Sequence, residues 1–371
     1  PGPCETPQSS QTASSPQPTR PCSPTTSEAS SKSVGLQSLR PSLEKSGLSR
    51  ECTDLVLNSW RPSTHKAYST YIKQWLEFTK ENKITSPSYI HVSNFLTKLY
   101  TTGASYSTVN LARSAVSAYL SPEDTDSIGN HPVVGGVVKG VFQNRPSLPK
   151  YQETWDVDIV LNTLAEWPHA EHLTLQKLTY RTVMLLELLS GQRGQTIHQL
   201  TTDDVKICNN KCVLVYSSLL KQSRPGVHVR PLEIDAFVNK KLCIVHHLKL
   251  YIEKTAKLRK GNQLFISCIE PHRAVSRDTI SRWIKTVLHS AGVDISKFSS
   301  HSTRSASTTA MLCRGVSLDC ILQAAGWTNP TTFNKFYHKT VQQSKPGNEG
   351  LGDQNRTLSQ SLLDSFVCKN P

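Results

Sequence analysis

Three side chains towards the end of the sequence have the types and the spacing for phosphate chemistry. His301 and Arg304 lie three positions apart, so a helix through both would place the imidazole and the guanidinium on one face. The planar guanidinium can hold two phosphate oxygens, and the imidazole can donate a hydrogen bond to a third. These two residues predict half of a phosphate clamp, and Tyr337 could bring a hydroxyl group to it.

The segment between the clamp and Tyr337 predicts three short helices. Gly315 ends the first, Ser317 begins the second and Gly326 ends it, as expected for residues that cap helices. The sequence NPTTFNKFYHK then predicts a third helix that carries Tyr337. The tyrosine is therefore expected on a separate late helix that can move towards the clamp.

The order and spacing of these residues resemble a known family. H-x-x-R at 301–304, G-W at 326–327 and F-Y at 336–337 resemble the C-terminal signature of the tyrosine recombinases. This is the phage integrase family of DNA breaking and joining enzymes. The run WRPST at 60–64 is similar to the opening of their core-binding domain. The resemblance covers nearly everything from Trp60 to Tyr337.

The resemblance implies a further arginine upstream, and Arg193 falls in that place, after an apolar helix predicted over 173–189. Bacterial members usually have an acidic residue three positions later, whereas this sequence has Thr196. The wording GQRGQTI at 191–197 and the segment around NRPSLPKYQET at 144–154 nevertheless resemble the recombinases of DIRS-like retrotransposons. A mobile-element recombinase of that branch is the expectation.

A basic turn between two predicted strands offers a further catalytic candidate. Residues 212–216 and 227–232 predict a β-hairpin around the turn at 221–226. In the family this hairpin presents a lysine to the minor groove beside the scissile phosphate, and Lys221 matches it. Arg224 is the alternative, and either side chain could instead be a plain phosphate contact.

The resemblance implies a complete mechanism for cleaving DNA. Tyr337 would attack the phosphorus and form a 3′-phosphotyrosine, which keeps the ester energy for resealing. Lys221 would protonate the leaving 5′-oxygen. Trp327 would either donate its indole N–H to the phosphate or pack against Tyr337. No metal or other cofactor is expected, since three side chains would stabilise the developing charge: Arg193, His301 and Arg304.

The composition agrees with a polyanionic partner. The chain of 371 residues has a formal net charge of +14 and a pI near 9.3. Double-stranded DNA is the leading candidate, although a basic surface kept for solubility is the alternative. Ten cysteines lack paired ligand spacing and are interpreted as reduced thiols. An intracellular protein is expected, because no signal peptide or long apolar run is present.

The first half of the chain predicts a tail followed by a helical domain. Residues 1–49 are rich in Pro, Ser and Thr and predict a disordered, low-complexity tail. Residues 50–145 predict an all-α domain with helices over 89–100, 107–120 and 132–142. The resemblance implies a core-binding, SAM-like domain that forms half of a clamp around DNA. Five basic residues could face duplex phosphates or simply be solvated: Arg61, Lys66, Lys73, Arg113 and Lys139.

The second half predicts an α-rich domain over 146–342 that contains the small hairpin. The expected fold class is therefore mainly α with a small β-hairpin or sheet, and the resemblance implies an α+β tyrosine recombinase catalytic domain. Helices are expected over 237–254 and 276–291. Arg282 could contact DNA or lie on an ordinary helix surface beside a buried Trp283. His246 and His247 lack acidic or thiol partners at ligand spacing and are interpreted as ordinary helix positions.

The last segment, 343–371, predicts a linker and a C-terminal helix. Its apolar stripe includes Leu358, Leu362 and Phe366 and requires a docking partner. That partner is either the helix's own domain or, as the resemblance implies, a neighbouring subunit in a cyclic assembly. A homotetramer on paired DNA sites is the corresponding expectation.

The sequence therefore predicts a site-specific DNA recombinase or integrase that comes from a DIRS-like element and acts in the nucleus. Two alternatives remain open at this point. One is a domesticated or decayed protein that binds DNA but no longer cuts it. The other is a type IB topoisomerase-like enzyme, which uses the same chemistry without strand exchange.

Overall fold

A computed structural model gives the structure of the chain. It describes residues 35–120, 127–147, 151–221, 223–226 and 228–342. The chain divides into two compact units, residues 1–148 and residues 149–371. The predicted tail up to residue 34 and the predicted C-terminal helix at 357–367 lie outside the described residues.

The described part of the first unit is helical. Short 3-10 turns occupy Leu36–Leu39 and Ile128–Asn130. Proline at the first helical position begins two of the helices, where its missing N–H costs no hydrogen bond. The α-helices are α1 (Arg40–Lys45), α2 (Arg50–Asn58), α3 (Pro62–Glu81), α4 (Tyr89–Thr101), α5 (Tyr106–Leu120) and α6 (Pro132–Asn144).

Two apolar clusters hold the first unit together. Trp75 and Phe78 of α3 pack against Phe95 of α4, with ring centroids 5.4 to 5.8 Å apart. The second cluster includes Leu36, Leu39 and Leu43, which are buried with Ile72. The prediction of disorder up to residue 49 is therefore wrong for residues 36–45. The reason is that these three leucines form an apolar stripe that burial against α3 stabilises, despite the polar composition around them.

The second unit contains eight α-helices among its described residues. Helix α8 is its centre, because most of its residues are buried and it packs against α10, α11 and α12. No described helix of the chain is both long and apolar enough to span a membrane. The helices are α7 (Val157–Glu166), α8 (Leu175–Ser190), α9 (Gly194–Gln199), α10 (Ile244–Thr255), α11 (Arg277–Ser290), α12 (Ser302–Cys313), α13 (Leu318–Ala325) and α14 (Pro330–Phe336).

Two small sheets complete the second unit. Strand β1 (Glu153–Thr154) pairs in parallel with β5 (Thr340–Val341). Strands β2 (Val205–Cys208), β3 (Lys211–Leu214) and β4 (Leu232–Asp235) form an antiparallel sheet, with Cys212 opposite Ile207 and Ile234. The predicted strand at 227–232 is wrong, because β4 begins at Leu232. Leu232 and Ile234 are buried, and this alternation of buried and exposed residues begins only there.

Candidate active site

Helix α12 and its N-cap carry the two residues of the predicted half-clamp. His301 precedes the helix directly, and Arg304 lies in its first turn. The Arg304 side chain is buried, and its Nη2 donates to the carbonyl oxygen of Ala325 at 2.8 Å. Its Nε and Nη1 have no hydrogen-bond partner within the described ranges. The guanidinium is therefore anchored at one nitrogen and keeps two other donor nitrogens for a ligand.

Tyr337 lies one residue past α14, at the C-cap, so the prediction that it lies on the helix itself is wrong by one position. Its carbonyl oxygen accepts hydrogen bonds from Ser305 Oγ at 2.7 Å and Thr309 Oγ1 at 2.9 Å, both on α12. Three residues further on, Thr340 begins β5, which anchors the following chain to β1. Backbone contacts on both sides therefore fix where the tyrosine leaves the main chain.

The Tyr337 ring lies beside the clamp residues. Its hydroxyl oxygen is 3.4 Å from His301 Nε2. The Arg304 guanidinium carbon is 5.3 Å from the centroid of the Tyr337 ring and 4.0 Å from that of Trp327. Phenol, imidazole and guanidinium therefore lie together, which places a hydroxyl that can act as a nucleophile beside two groups that can bind phosphate.

The Trp327 ring packs against the Tyr337 ring. Gly326 ends α13 in the left-handed region, with φ of 66°, and turns the chain so that the indole enters the core. The Trp327 and Tyr337 rings lie 4.6 Å apart, and the buried indole also packs against Phe333. The indole N–H has no partner in the described part of the chain. Of the two predicted roles, the structure shows the packing contact.

The turn after α8 places Arg193 near the clamp. Gly191 has φ of 54°, and a Cβ atom there would lie 2.9 Å from Thr308 Cγ2, so glycine allows α8 and α12 to approach closely. Gln192 donates through Nε2 to the carbonyl oxygen of Ala324, and Ser307 donates through Oγ to that of Leu188. These contacts join α8, α12 and α13 just before Arg193, which is the N-cap of α9.

One cavity of about 460 Å³ collects the predicted residues. Five of the six proposed catalytic side chains line it: Arg193, Lys221, His301, Arg304 and Tyr337. Trp327 contributes from beneath, through its contacts with Arg304 and Tyr337. Residues that are more than a hundred positions apart in sequence therefore share one concave, positively charged site.

The charges around this cavity shift each other's protonation. Partial removal from water lowers the pKa of His301, and the neighbouring cations, Arg304 foremost, lower it further. Burial lowers the pKa of Arg304 to about 9, and the charge of Arg193 acts in the same direction. Such a site favours an anionic ligand, because an added negative charge would offset the repulsion between its cations.

The cavity also contains residues that the sequence did not single out. Glu187 of α8 and Arg277 of α11 line it. Glu187 had a visible signal, namely one acid inside the apolar run LLELLS, and it is only 3% exposed. Burial raises its pKa to about 8, although Arg304 opposes this. Arg277 had no comparable signal, because it lies on an exposed helix start.

Most residues predicted to contact DNA lie on the surface of their own units. Arg61, which precedes α3, and Lys66 and Lys73 of α3 are exposed on the first unit. Arg224 and Arg282 are exposed on the second unit. Arg113 differs, because it is half-buried and donates to the Gly129 carbonyl oxygen at 3.0 Å and to Asn110 Oδ1 at 3.1 Å. Its guanidinium is used inside the first unit, so internal packing explains it without DNA.

The tandem histidines lie outside this site. His246 Nε2 is 3.0 Å from Glu171 Oε1, and His247 is buried with its Nδ1 2.8 Å from the Cys243 carbonyl oxygen. Within the described residues, no group of three or more His, Cys, Asp or Glu side chains could hold a metal ion.

The fold and the cavity define a mainly helical unit in which a tyrosine lies beside a cluster of cationic side chains. The model of the phage integrase family matches residues 160–343, and that of the phage integrase N-terminal SAM-like domain matches residues 52–121. The chain belongs to the phage integrase, or tyrosine recombinase, family.

Solved structures share the fold at low sequence identity. The crystal structure of the XerH site-specific recombinase bound to a palindromic difH substrate, in a post-cleavage complex, is 16% identical. The match covers 81% of each chain with a TM-score of 0.53. The corresponding pre-cleavage complex is 13% identical over 81% of this chain and 82% of that one, also at 0.53. No curated protein sequence matches the chain.

Proposed function

We propose that the protein is a site-specific DNA recombinase or integrase that cuts and rejoins DNA through a 3′-phosphotyrosine at Tyr337. One observation carries the proposal. The Tyr337 hydroxyl lies 3.4 Å from His301 Nε2 at a cavity that Arg193, Arg304 and Lys221 also line. A nucleophile, charge stabilisers and a proton donor are the groups that phosphodiester transfer requires.

In this proposal the cations bind the two non-bridging oxygens of the scissile phosphate. Arg304 has two donor nitrogens without partners in the described chain, both on a guanidinium that is held in place by Ala325. Arg193 approaches from the start of α9, and His301 donates from the rim. Fixed donors of this kind stabilise the pentacoordinate transition state more than the ground state, because negative charge accumulates on those oxygens during attack.

Lys221 protonates the 5′-oxygen as the P–O bond breaks, and Tyr337 replaces that oxygen on phosphorus. Resealing reverses both transfers: the 5′-hydroxyl attacks the phosphotyrosine, Lys221 takes back its proton and the tyrosine leaves. Trp327 holds the tyrosine ring in place through its packing contact. The Tyr337 hydroxyl passes its proton to His301 Nε2, 3.4 Å away, as its oxygen attacks, and recovers it on resealing. Arg224, exposed in the same connection, is the alternative proton donor to the 5′-oxygen.

The biological setting follows from the sequence resemblance and the charge. GQRGQTI and the segment at 144–154 resemble DIRS-like recombinases, so the proposed role is integration of such an element into DNA in the nucleus. The net charge of +14 suits a double-stranded DNA partner, and the exposed lysines of α3 would contact its phosphates. A homotetramer on paired sites is the proposed working assembly.

Covalent trapping tests the proposal. Nicked suicide substrates lose the short strand after cleavage, so resealing is prevented and a protein–DNA adduct accumulates. The parent should form the adduct with chelator present, while Tyr337→Phe should bind DNA equally and form none, since that change removes one oxygen. Tyr151→Phe is the matched control and should form the adduct. A parent that binds DNA without any adduct would favour the decayed DNA-binding alternative.

A requirement for paired sites distinguishes recombination from type IB topoisomerase-like relaxation. A recombinase should exchange strands between two duplexes that carry its site and should relax unrelated supercoiled DNA poorly. Efficient relaxation of plasmids that lack a paired site, without strand exchange, would identify the topoisomerase-like activity instead.

A further inference from the structure

The proposed mechanism leaves one buried acid of the cavity without a role. Glu187 lies on α8, its side chain is buried, and it forms part of the cavity wall. Its Oε1 is shielded from solvent and has no hydrogen-bond partner in the described ranges. A buried carboxyl oxygen without a hydrogen-bond partner is unfavourable, so such a group calls for an explanation.

The other titratable side chains of the same wall are cationic, basic or phenolic. Glu187 is the only acid among the described residues that line the cavity. Around it lie the groups of five other parts of the fold: Arg304 and His301 of α12 and its start, Arg193 before α9, Lys221 before β4, Arg277 of α11 and Tyr337 after α14. Arg304 is the charged partner that acts on it most strongly.

These facts define a charge balance that changes when a ligand enters. In the empty cavity a carboxylate at Glu187 would offset part of the positive charge of Arg304. A bound phosphodiester brings its own negative charge to the same guanidinium. The Nε and Nη1 atoms of that guanidinium have no hydrogen-bond partner in the described ranges. Two anions beside one guanidinium repel each other, so the weaker acid of the two takes up a proton. The carboxyl is that acid, because a phosphodiester remains ionised down to low pH.

We propose that Glu187 is a positioning residue that exchanges charge with the bound phosphate. At alkaline pH its carboxylate compensates Arg304 while the cavity is empty, and it takes up one proton from solvent when the phosphate takes over that role. The proposal rests on the proposed function, in which the cavity binds a DNA phosphate. It goes beyond that function because it links DNA binding to the uptake of a proton.

The linkage has a defined pH window. Burial raises the pKa of Glu187 to about 8 in the empty protein, and a neighbouring phosphate would raise it further. Below that value the carboxyl is already protonated and binding takes up nothing from it. Above it, each binding event must protonate the carboxylate, so DNA affinity falls by up to about tenfold per pH unit.

Proton uptake provides the direct test. Binding of a 30-base-pair duplex is measured by titration calorimetry at pH 8 in two buffers that differ in ionisation enthalpy. Glu187 should contribute about half a proton to the parent's uptake per site, because a group with a pKa near 8 is half ionised there. Glu187→Gln keeps the size, and its amide can donate a hydrogen bond as a protonated carboxyl can, but it cannot titrate. It should take up about half a proton less than the parent and should lose most of the fall in affinity between pH 7.5 and pH 9.

Other titratable groups are controlled. His301 lines the same cavity, and its pKa, which burial and the neighbouring cations lower, would rise beside a phosphate, so His301 can also take up a proton on binding. Glu187→Gln retains that share and loses only the share of Glu187. Glu253→Gln removes an equal charge from the exposed face of α10 and should behave as the parent. If Glu187→Gln does not fold, His301→Gln decides: uptake near a half supports the proposal, and uptake near zero overturns it.

Arg304→Ala shows whether a phosphate enters the cavity at all. It should weaken duplex binding by tenfold or more. If it binds as the parent does, the cavity does not hold a DNA phosphate, and the proposed function fails together with this inference. If Arg304→Ala weakens binding but Glu187→Gln retains the parent's uptake and pH profile, the proposed function stands and the role of Glu187 is wrong. A large affinity loss in Glu187→Gln with no change in uptake would instead make Glu187 a permanently ionised partner of Arg304.

Discussion

The hydroxyl oxygen of Tyr337 lies 3.4 Å from Nε2 of His301, although 36 positions separate the two residues. The contact exists because α12 holds the Tyr337 carbonyl oxygen through Ser305 and Thr309. The same helix therefore carries Arg304 and fixes the backbone of Tyr337, the proposed nucleophile. Substitutions in α12 should both weaken phosphate binding and misplace the Tyr337 hydroxyl. Substitutions at the edge of the cavity should each affect one chemical role.

The proton-donor role of Lys221 can be tested with a substrate that needs no proton. An alkoxide leaving group requires protonation, whereas a thiolate, with a pKa of about 8.5 by analogy with cysteine, does not. Lys221→Ala should cut ordinary DNA at least about a hundredfold more slowly and should regain most of that loss on DNA with sulfur at the 5′ bridging position. Adduct formation on the two substrates is the measurement.

Arg304→Ala is the contrast for that experiment. Its proposed role is to stabilise charge on the non-bridging oxygens, so sulfur at the bridging position should not rescue it. If Lys221→Ala shows the same relative defect on both substrates, Lys221 is a phosphate contact only. Arg224→Ala should then be examined for the rescue.

The role of Trp327 separates into packing and donation through two substitutions. Trp327→Phe keeps an aromatic ring against Tyr337 but removes the indole N–H, which has no partner in the described chain. We expect it to cleave within about tenfold of the parent, whereas Trp327→Ala should lose more activity and about 3–5 kcal/mol of stability. Single-turnover adduct rates and urea unfolding measure the two effects. A loss of a hundredfold or more in Trp327→Phe alone would show that the N–H donates to the phosphate.

Two basic residues of the first unit should behave differently when removed. Lys73 is exposed on α3, so Lys73→Ala should weaken DNA binding and reduce the slope of log affinity against log salt by about one. Arg113→Met removes the bonds to Gly129 and Asn110, so it should cost about 1–3 kcal/mol of stability. Its salt slope should match the parent's. A reduced slope for Arg113→Met at unchanged stability would place that guanidinium on DNA.

His247 should make the second unit sensitive to acid. Burial lowers its pKa to about 4, so the unfolded state binds a proton below pH 6.5 while the folded state does not. The stabilisation is complete above pH 6.5 and is lost as the pH falls towards 4. Between pH 7 and pH 5 the free energy of unfolding should fall by about 2 kcal/mol from this group.

Urea unfolding followed by tryptophan fluorescence at the two pH values measures that loss. His247→Asn keeps an N–H donor for the Cys243 carbonyl oxygen and should remove most of the difference. His289→Asn, at an exposed position near the end of α11, is the matched control and should retain it. Equal losses in parent and His247→Asn would show that other groups cause the acid sensitivity.

Local patterns in the sequence were sufficient for five of the helices. Capping residues and apolar periodicity placed α4, α5, α6, α8 and α11 within about two residues of their observed bounds, because those signals act over a few neighbours. These local signals failed where burial determines the secondary structure. Leu36, Leu39 and Leu43 form helical turns within a polar segment, and β4 begins five residues after the strand that was predicted.

The sequence by itself determined the family, because the motifs that carry Arg193, His301, Arg304 and Tyr337 are matters of residue type and order. Only the tertiary structure decided that these side chains line one cavity, since the contacts of Gly191, Gln192 and Ser307 that join three helices span more than a hundred positions. It also decided that Glu187 belongs to the same wall and that Arg113 does not face outward. Burial and long-range approach determine charge state, and neither can be seen in a linear pattern of residues.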